Sequence, residues 1–297
     1  MKAKRLRRTS LYIPGTNPGM LANASVYGAD SIILDLEDGV PVPEKDAARI
    51  LVRNALKSVP YRGAEVTVRV NALSTPFGRD DFREIIPLAP DAIRLPKCES
   101  ADDVREADAL MTEIELNSGV EAGTVGIIAI TESARGGRNL SEIAAASPRV
   151  IALNYGAEDY TADIGAVRTK EGRELDDIRA KVIVAARIAG VQALDSVFGD
   201  VNDMEGLYAE ALRVRLLGFD GKSVIHPRQI PVVHRAFTPS EQEIGFARRV
   251  MAAFREASSR GAGVIALDGR MIDAPVVARA EKILALAEAA GCLPGER

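Results

Sequence analysis

The chain contains no tryptophan, two cysteines, two histidines and only 4% aromatic residues. Two cysteines, Cys98 and Cys292, cannot build a disulfide framework and fit a reducing compartment. With two histidines, a zinc site of the usual nitrogen and sulfur type is not expected. No apolar run approaches the ~20 residues that span a bilayer. The basic start also lacks the apolar segment and cleavage site of a secretory signal, so the sequence predicts a cytoplasmic protein. A net charge of −4 gives no general reason to expect nucleic acid or an anionic membrane as a partner. The exception is local, because Lys2, Lys4, Arg5, Arg7 and Arg8 crowd the start of the chain. Such tails are ordinarily solvated, although the last arginines, beside the first strand, could meet a phosphate.

What is present is ordinary in bulk: 297 residues, 47% hydrophobic and 27% charged, enough to bury a large core. The length suits two average domains or one (β/α)8 barrel of about 250 residues. Strand and helix patterns alternate. Strands are predicted at Ser10–Ile13, Ser31–Leu36, Glu65–Val70, Ala92–Leu95, Val125–Ile130, Val150–Leu153, Gln192–Val197 and Ser223–Ile225. Helical periodicity covers Pro43–Val59, Ala101–Asn117, Glu174–Ala189 and Asp203–Leu217. Short apolar runs bounded by turn residues read as buried parallel strands. Eight such units in series predict an α/β fold, a closed (β/α)8 TIM barrel. A doubly wound open sheet is the competing architecture, but no Gly-x-Gly-x-x-Gly turn follows the first strand.

From Asn154 to Arg173 the sequence shows little periodicity, which predicts a long functional loop. After the eighth unit comes a C-terminal helical appendix. Ser240 and Glu243 form a capping box opening a helix that ends near Arg260-Gly261. Asp268-Gly269 is a two-residue hairpin turn between Val264–Leu267 and Arg270–Ile272. A final helix from about Pro275 to Ala290 presents Val276, Val277, Ala280, Ile283, Leu284 and Leu286 on one face. We therefore divide the chain into a barrel domain, residues 1–237, and a lid or oligomerisation segment, residues 238–297.

Chemistry-bearing residues gather at the carboxyl ends of the predicted strands, where α/β proteins place their sites. Glu132 and Asp159 follow successive strands. Each could cap a helix or pair with an arginine. Together they could hold magnesium, or manganese, with water or substrate oxygens completing the shell. Arg69 ends its strand; its planar fork could grip a carboxylate or enolate, or sit in a rim ion pair. Asp35, Glu37 and Asp38 repel one another unless something positive lies among them. They either orient metal-bound waters or pair with Lys45, Arg69 or Lys97. Lys97 could in principle form a Schiff base, but that would leave Glu132 and Asp159 unexplained. Cys98 reads as a small buried hydrophobe, and His226 as a loop organiser rather than a base. Asp273, just before Ala-Pro and a helix, is an N-cap candidate.

Several segments together resemble the citrate lyase beta-subunit family. They are Leu11-Tyr-Ile-Pro-Gly15, Ile33-Leu-Asp-Leu-Glu-Asp-Gly-Val40, Arg69-Val-Asn71, the run Gly156 to Gly165, Gly218-Phe-Asp-Gly-Lys-Ser223 and Gly269 to Pro275. The wider group comprises malyl-, citramalyl- and citryl-thioester lyases of the HpcH/HpaI aldolase type. The Gly156-Ala-Glu-Asp-Tyr-Thr161 run looks most like the citrate lyase branch. One departure is His226, which stands where that branch often has asparagine.

The resemblance implies a magnesium-dependent carbon–carbon lyase acting on an acyl-CoA or acyl-carrier-protein thioester. It implies a homotrimer or hexamer, with other citrate lyase subunits as further partners. It would assign Arg69 to the substrate carboxylate, Glu132 to metal and substrate, and Asp159 to metal. It also suggests that Asp273 reaches the metal of an adjacent subunit, where it would move a proton.

Overall fold

The computed structural model describes residues 5–259 and 265–293. Contacts divide the chain into two compact units, Arg7–His234 and a smaller one that joins the residues before Arg7 to those from Arg235 onward. The first is a closed barrel of eight parallel strands in sequential order. These are β1 Thr9–Pro14, β2 Ser31–Asp35, β3 Glu65–Arg69, β4 Ala92–Leu95, β5 Gly126–Thr131, β6 Val150–Tyr155, β7 Gln192–Asp195 and β8 Gly221–Val224. The barrel closes by parallel pairing of β1 with β8, Ser10 opposite Ser223. Closure excludes the open doubly wound sheet.

Around the barrel run α1 Pro18–Asn23, α2 Lys45–Ser58, α3 Gly78–Ile85, α4 Ala101–Asn117, α5 Ala134–Arg138, α6 Leu140–Ala145, α7 Ala157–Asp163, α8 Asp176–Ala189, α9 Met204–Leu217 and α10 Gln229–Phe237. Local signals set their ends. Asn17 caps α1 through Met20 N, Ser100 and Asp103 form a reciprocal box on α4, and Gly190, at φ +73°, stops α8. Strand residues such as Ile32, Leu34, Val68, Ile93, Ile127, Leu153 and Val224 are fully buried. Their alternates turn to the interior, where Ala92, Ile128, Ala152 and Leu194 pack together.

Arg7 and Arg8, beside the first strand, act as staples. Arg7 grips Glu65 with Nε and Nη2 at 2.8 and 2.6 Å and also donates to Gln192, while Arg8 pairs with Asp30 at 2.9 Å. These partners, the carboxylates of Glu65 and Asp30 and the Gln192 amide oxygen, would have to be displaced by any phosphate. Lys2 and Lys4 lie outside the described residues. The expected loop after β6 is also partly ordered: β6 runs on to Tyr155, and α7 follows at once, burying Ala157, Tyr160 and Thr161 on one face. The irregular stretch is only residues 164–172.

The smaller unit contains α11 Glu241–Ser259, the antiparallel pair β9 Ile265–Leu267 and β10 Arg270–Ile272, and α12 Ala274–Ala289. Ser240 and Glu243 exchange the capping-box bonds at 2.7 and 3.2 Å. Asp268 and Gly269 both take positive φ, as the hairpin turn requires. Ala247, Val250, Ile272, Val277 and Ala280 form this unit's core. The expected helix end at Arg260-Gly261 and the strand start at Val264 lie outside the described residues.

Gly221 marks where the barrel seam is tightest, since a Cβ there would overlap the Arg7 carbonyl oxygen, which is backbone and cannot swing aside. Gly221→Ala should destabilise the protein by about 3 kcal/mol, at the top of the ordinary range for one substitution. Denaturant unfolding measures this, and a loss under ~0.5 kcal/mol would contradict the packing described.

Candidate active site

The carboxyl ends of the strands surround a cavity of about 470 Å³ lined by Tyr12, Asp35, Asp38, Arg69, Glu132, Asn154, Asp159, Ser196 and Ser223, among others. Glu132 enters it directly from the end of β5, and Asp159 from the first turn of α7. Arg69 and Asp35 enter from adjacent strand ends, where they are paired in register. Asp35, Asp38, Arg69, Glu132 and Asp159, all singled out from sequence, thus share one mouth. Asp273 belongs to the other unit, where its Oδ1 accepts from Val276 N at 3.2 Å and caps α12.

Asp35 organises the acidic loop. Its two oxygens accept Arg69 Nε and Nη2 at 2.6 and 2.7 Å, and the backbone N–H groups of Glu37 and Gly39 at 3.0 Å each. A two-pronged pair of this kind is both strong and geometrically exact in its demands. Of the two roles the sequence offered Arg69, the ion pair is the one present here, and the Nε–Nη2 edge of the fork is held by Asp35. What remains is Nη1, 2.9 Å from Glu37 Oε2 and 3.4 Å from Asp38 Oδ2. The guanidinium also stacks on Tyr12, 4.9 Å from the ring centroid. Lys45 is not a partner of the cluster's carboxylates; its Nζ donates to the Leu36 and Glu37 carbonyls.

Glu132 is 6% exposed, and its Oε2 accepts no hydrogen bond. Lys97 Nζ stands 3.6 Å from that oxygen and 3.6 Å from Glu37 Oε1. Burial pushes the Glu132 pKa up to about 7; Lys97 opposes the rise and Asp159 reinforces it. Burial likewise lifts Glu37 to about 8, against the pull of Arg69 and with the push of Glu132. Lys97 itself is pulled down by burial, but Glu132, Glu37 and Asp159 more than reverse this, and its pKa is raised. An ammonium held protonated is the opposite of what a Schiff-base lysine needs.

Cys98 is fully buried, and burial pushes its thiol up, so it is no nucleophile. His226 Nδ1 accepts from Arg228 N at 3.1 Å, while Gln229 Oε1 accepts from Ile225 N and His226 N. That is the loop-organising role.

The donor set fits a hard divalent cation. Glu132 offers a buried oxygen lacking a hydrogen bond, and Asp159 a second carboxylate. Gly156 leaves room for the first: a Cβ there would come within 2.9 Å of Glu132 Cγ and 3.0 Å of its Oε1. Among the described residues no group of three or more His, Cys, Asp or Glu side chains forms a complete metal cage. Most positions would fall to water or substrate oxygens, which is how magnesium is usually held.

Sequence reasoning missed two buried cations inside the strands. Arg94 is fully buried with Nη1 and Nη2 free of hydrogen bonds, and Lys222 is fully buried among acids. The available signal was a charge inside an otherwise apolar strand.

The raised carboxylates carry a stability signature. Between 4.5, the ordinary value for glutamate, and their folded values near 7 and 8, the folded protein binds protons that the unfolded chain has released. Their contribution is therefore full below about pH 4.5 and is lost as pH rises through about 7 to 8. Chelator-treated protein should melt progressively lower over that window, and Glu132→Gln should flatten the slope. A slope unchanged in Glu132→Gln would contradict the assignment.

The sequence profile of the HpcH/HpaI aldolase/citrate lyase family matches residues 8–227. The chain is 46% identical over 289 residues to citrate lyase subunit beta of Leuconostoc mesenteroides subsp. cremoris, covering 97% of this chain and 96% of that one. It is 35% identical to an L-malyl-CoA/beta-methylmalyl-CoA lyase of Rhodobacter capsulatus, with 96% of each covered. Among solved structures, CitE from Mycobacterium tuberculosis in complex with magnesium, acetoacetate and coenzyme A superposes with a TM-score of 0.80 at 35% identity. That match covers 97% of this chain and 99% of CitE.

Proposed function

The chain belongs to the HpcH/HpaI aldolase/citrate lyase family, and from that premise we propose that it is a magnesium-dependent carbon–carbon lyase. Its substrate is a 3-hydroxy-3-carboxyacyl thioester: a citryl thioester, on coenzyme A or a carrier protein, cleaved to oxaloacetate and an acetyl thioester. The observation that carries the reading is Glu132, a buried carboxylate with an oxygen lacking a hydrogen bond, in the same cavity as Asp159. The citrate lyase relative favours citryl over malyl substrates by its higher identity, and the magnesium in the CitE complex supports the choice of ion.

In this mechanism Glu132 and Asp159 would hold the metal, with manganese an acceptable substitute. When bound, it supplies Lewis acidity toward the substrate's hydroxyl and adjacent carboxylate. The hydroxyl loses its proton to the Asp273 carboxylate of a neighbouring copy and becomes the ketone of oxaloacetate, while the electron pair of the breaking C–C bond moves onto the thioester as an enolate, which takes that proton back at carbon. Arg69, with Asp35 fixing one edge, presents Nη1 to the substrate carboxylate or the developing enolate, where a preorganised charge is most effective. Glu37 and Asp38 yield that edge as substrate enters, and their carboxylates then orient water in the mouth. Lys97 balances the charge of Glu132 and Glu37. Asp273 of a neighbouring copy, in the segment 238–297, protonates the enolate carbon.

We place the protein in the cytoplasm as a homotrimer or hexamer, working beside other citrate lyase subunits. Among its described residues no helix is long and apolar enough to cross a membrane.

Glu132→Ala and Asp159→Ala should each abolish turnover with the fold preserved, and excess chelator should silence the wild type. Assay of a citryl thioester should yield oxaloacetate. Glyoxylate or pyruvate from malyl or citramalyl thioesters would instead select the second reading, drawn from the malyl-CoA lyase relative. Hydrolysis without a keto acid would mark a thioesterase, and full activity in chelator would sink the metal mechanism.

Asp273→Asn keeps a capping oxygen, so it should preserve stability and assembly while lowering turnover at least about tenfold, a floor beneath the roughly 10²–10⁴-fold typical of general acid–base catalysis. Mixed with Glu132→Ala protomers, it should regain partial activity in hybrid oligomers. Verified subunit exchange with no recovered activity would return Asp273 to the role of a cap.

A further inference from the structure

Behind the mouth, between the barrel and its outer helices, lies a second charged cluster that takes no part in the mechanism above. Asp195 and Lys222 are fully buried, Arg179 is 1% exposed and Glu210 is 8% exposed. Lys222 Nζ donates to Asp195 Oδ2 at 2.5 Å and to Glu210 Oε1 at 2.7 Å. Arg179 binds the opposite oxygens of the same two acids, Asp195 Oδ1 at 3.1 Å and Glu210 Oε2 at 3.0 Å. Two cations and two anions alternate, so the charge closes within the cluster. Burial alone would raise the Asp195 pKa, yet Lys222 and Arg179 hold it down at about 2.

This cluster reaches both ends of the segment that bears Asp159. At the near end, Tyr155 OH donates to Asp195 Oδ1 at 2.6 Å and accepts from Arg179 Nε at 3.0 Å. Lys222 Nζ also donates to the Ser196 carbonyl at 2.9 Å, and Ser196 Oγ accepts the Ala157 N–H, at the start of α7, at 3.1 Å. At the far end, Arg179 Nη1 donates to the Gly172 carbonyl at 3.4 Å. Gly172 takes φ +64°, and a Cβ there would meet both Arg179 Nη1 and Glu210 Oε2 at 3.3 Å. The intervening residues 164–172 have no regular structure. Asp159 is thus on a short helix whose placement depends on two anchorage points sharing one buried framework.

We infer that the Arg179–Asp195–Lys222–Glu210 cluster, acting through Tyr155 and Ser196, is the positioning device for Asp159 and sets the affinity of the site for its divalent cation. The inference rests on the reading of Asp159 as a metal ligand. Outer partners that orient a ligand are typically worth about 10–100-fold in metal affinity. Tyr155 and Ser196 are the links to cut, because removing a buried charge would unfold the protein for unrelated reasons.

The test is manganese binding by electron paramagnetic resonance, without substrate, on the full chain and on Ser196→Ala, Tyr155→Phe, Ser196→Thr and Asp159→Asn, with thermal melting alongside. Ser196→Ala and Tyr155→Phe should bind manganese roughly tenfold more weakly while still unfolding cooperatively. Ser196→Thr, which keeps the hydroxyl, should restore affinity. In turnover, excess manganese should recover most of the kcat of both weakened variants. If Asp159→Asn loses the ion but Ser196→Ala and Tyr155→Phe bind it like the wild type, the positioning role is wrong. If Asp159→Asn itself binds normally, the ligand reading falls and takes the inference with it. Should Tyr155→Phe fail to fold, Ser196→Ala alone decides.

Discussion

The pair between Arg69 and Asp35 is the interaction on which the rest of the site depends. The two residues sit opposite each other in the register of β3 and β2, so the barrel itself aligns the guanidinium fork with the carboxylate. The same carboxylate accepts the amides of Glu37 and Gly39, which folds the acidic loop back over the strand ends. One contact therefore neutralises Asp35, leaves a single edge of Arg69 for other anions and delivers Glu37 to that edge. Without it, Asp35 and Glu37 would have no reason to stay buried together.

The consequence is a mouth short of positive charge. Asp35, Glu37, Asp38, Glu132 and Asp159 meet Arg69 and Lys97, and two of the acids respond with raised pKa values. Like charges gathered at this density mark functional sites more often than structural ones. On the proposed reading, a divalent cation beside Glu132 Oε2, which has no hydrogen bond, would resolve the imbalance. The half-exposed Lys97, 3.6 Å from that oxygen, is the nearest alternative cation and holds it weakly. In this account the site is a binding site for an anionic thioester only once the metal is present.

Much of this was legible in the sequence, and the failures have physical causes. Continuous apolar runs leading to Glu132 or Arg69 carried both the strand and the residue that its end brings to the barrel mouth, because a barrel strand is buried on both faces. The capping box at Ser240 and the Asp268-Gly269 turn were readable because their chemistry is local. Arg69's partner was not: cross-strand register decides it, and Asp35, Glu37 and Asp38 are equally acidic on paper. Helix α7 was hidden because its buried face, Ala157, Tyr160 and Thr161, spans little more than a turn. The cluster around Lys222 was hidden for the opposite reason, since its members come from β7, β8, α8 and α9 and meet only in space.

The most direct measurement is anomalous diffraction from crystals of the full chain grown with manganese. The account predicts one strong peak at the barrel mouth, about 2.1–2.2 Å from a carboxylate oxygen of Glu132 and one of Asp159, close to the octahedral distances of magnesium. The remaining density should be water or substrate oxygen. A peak bound instead by Asp35, Glu37 or Asp38, or no peak at the mouth, would contradict it.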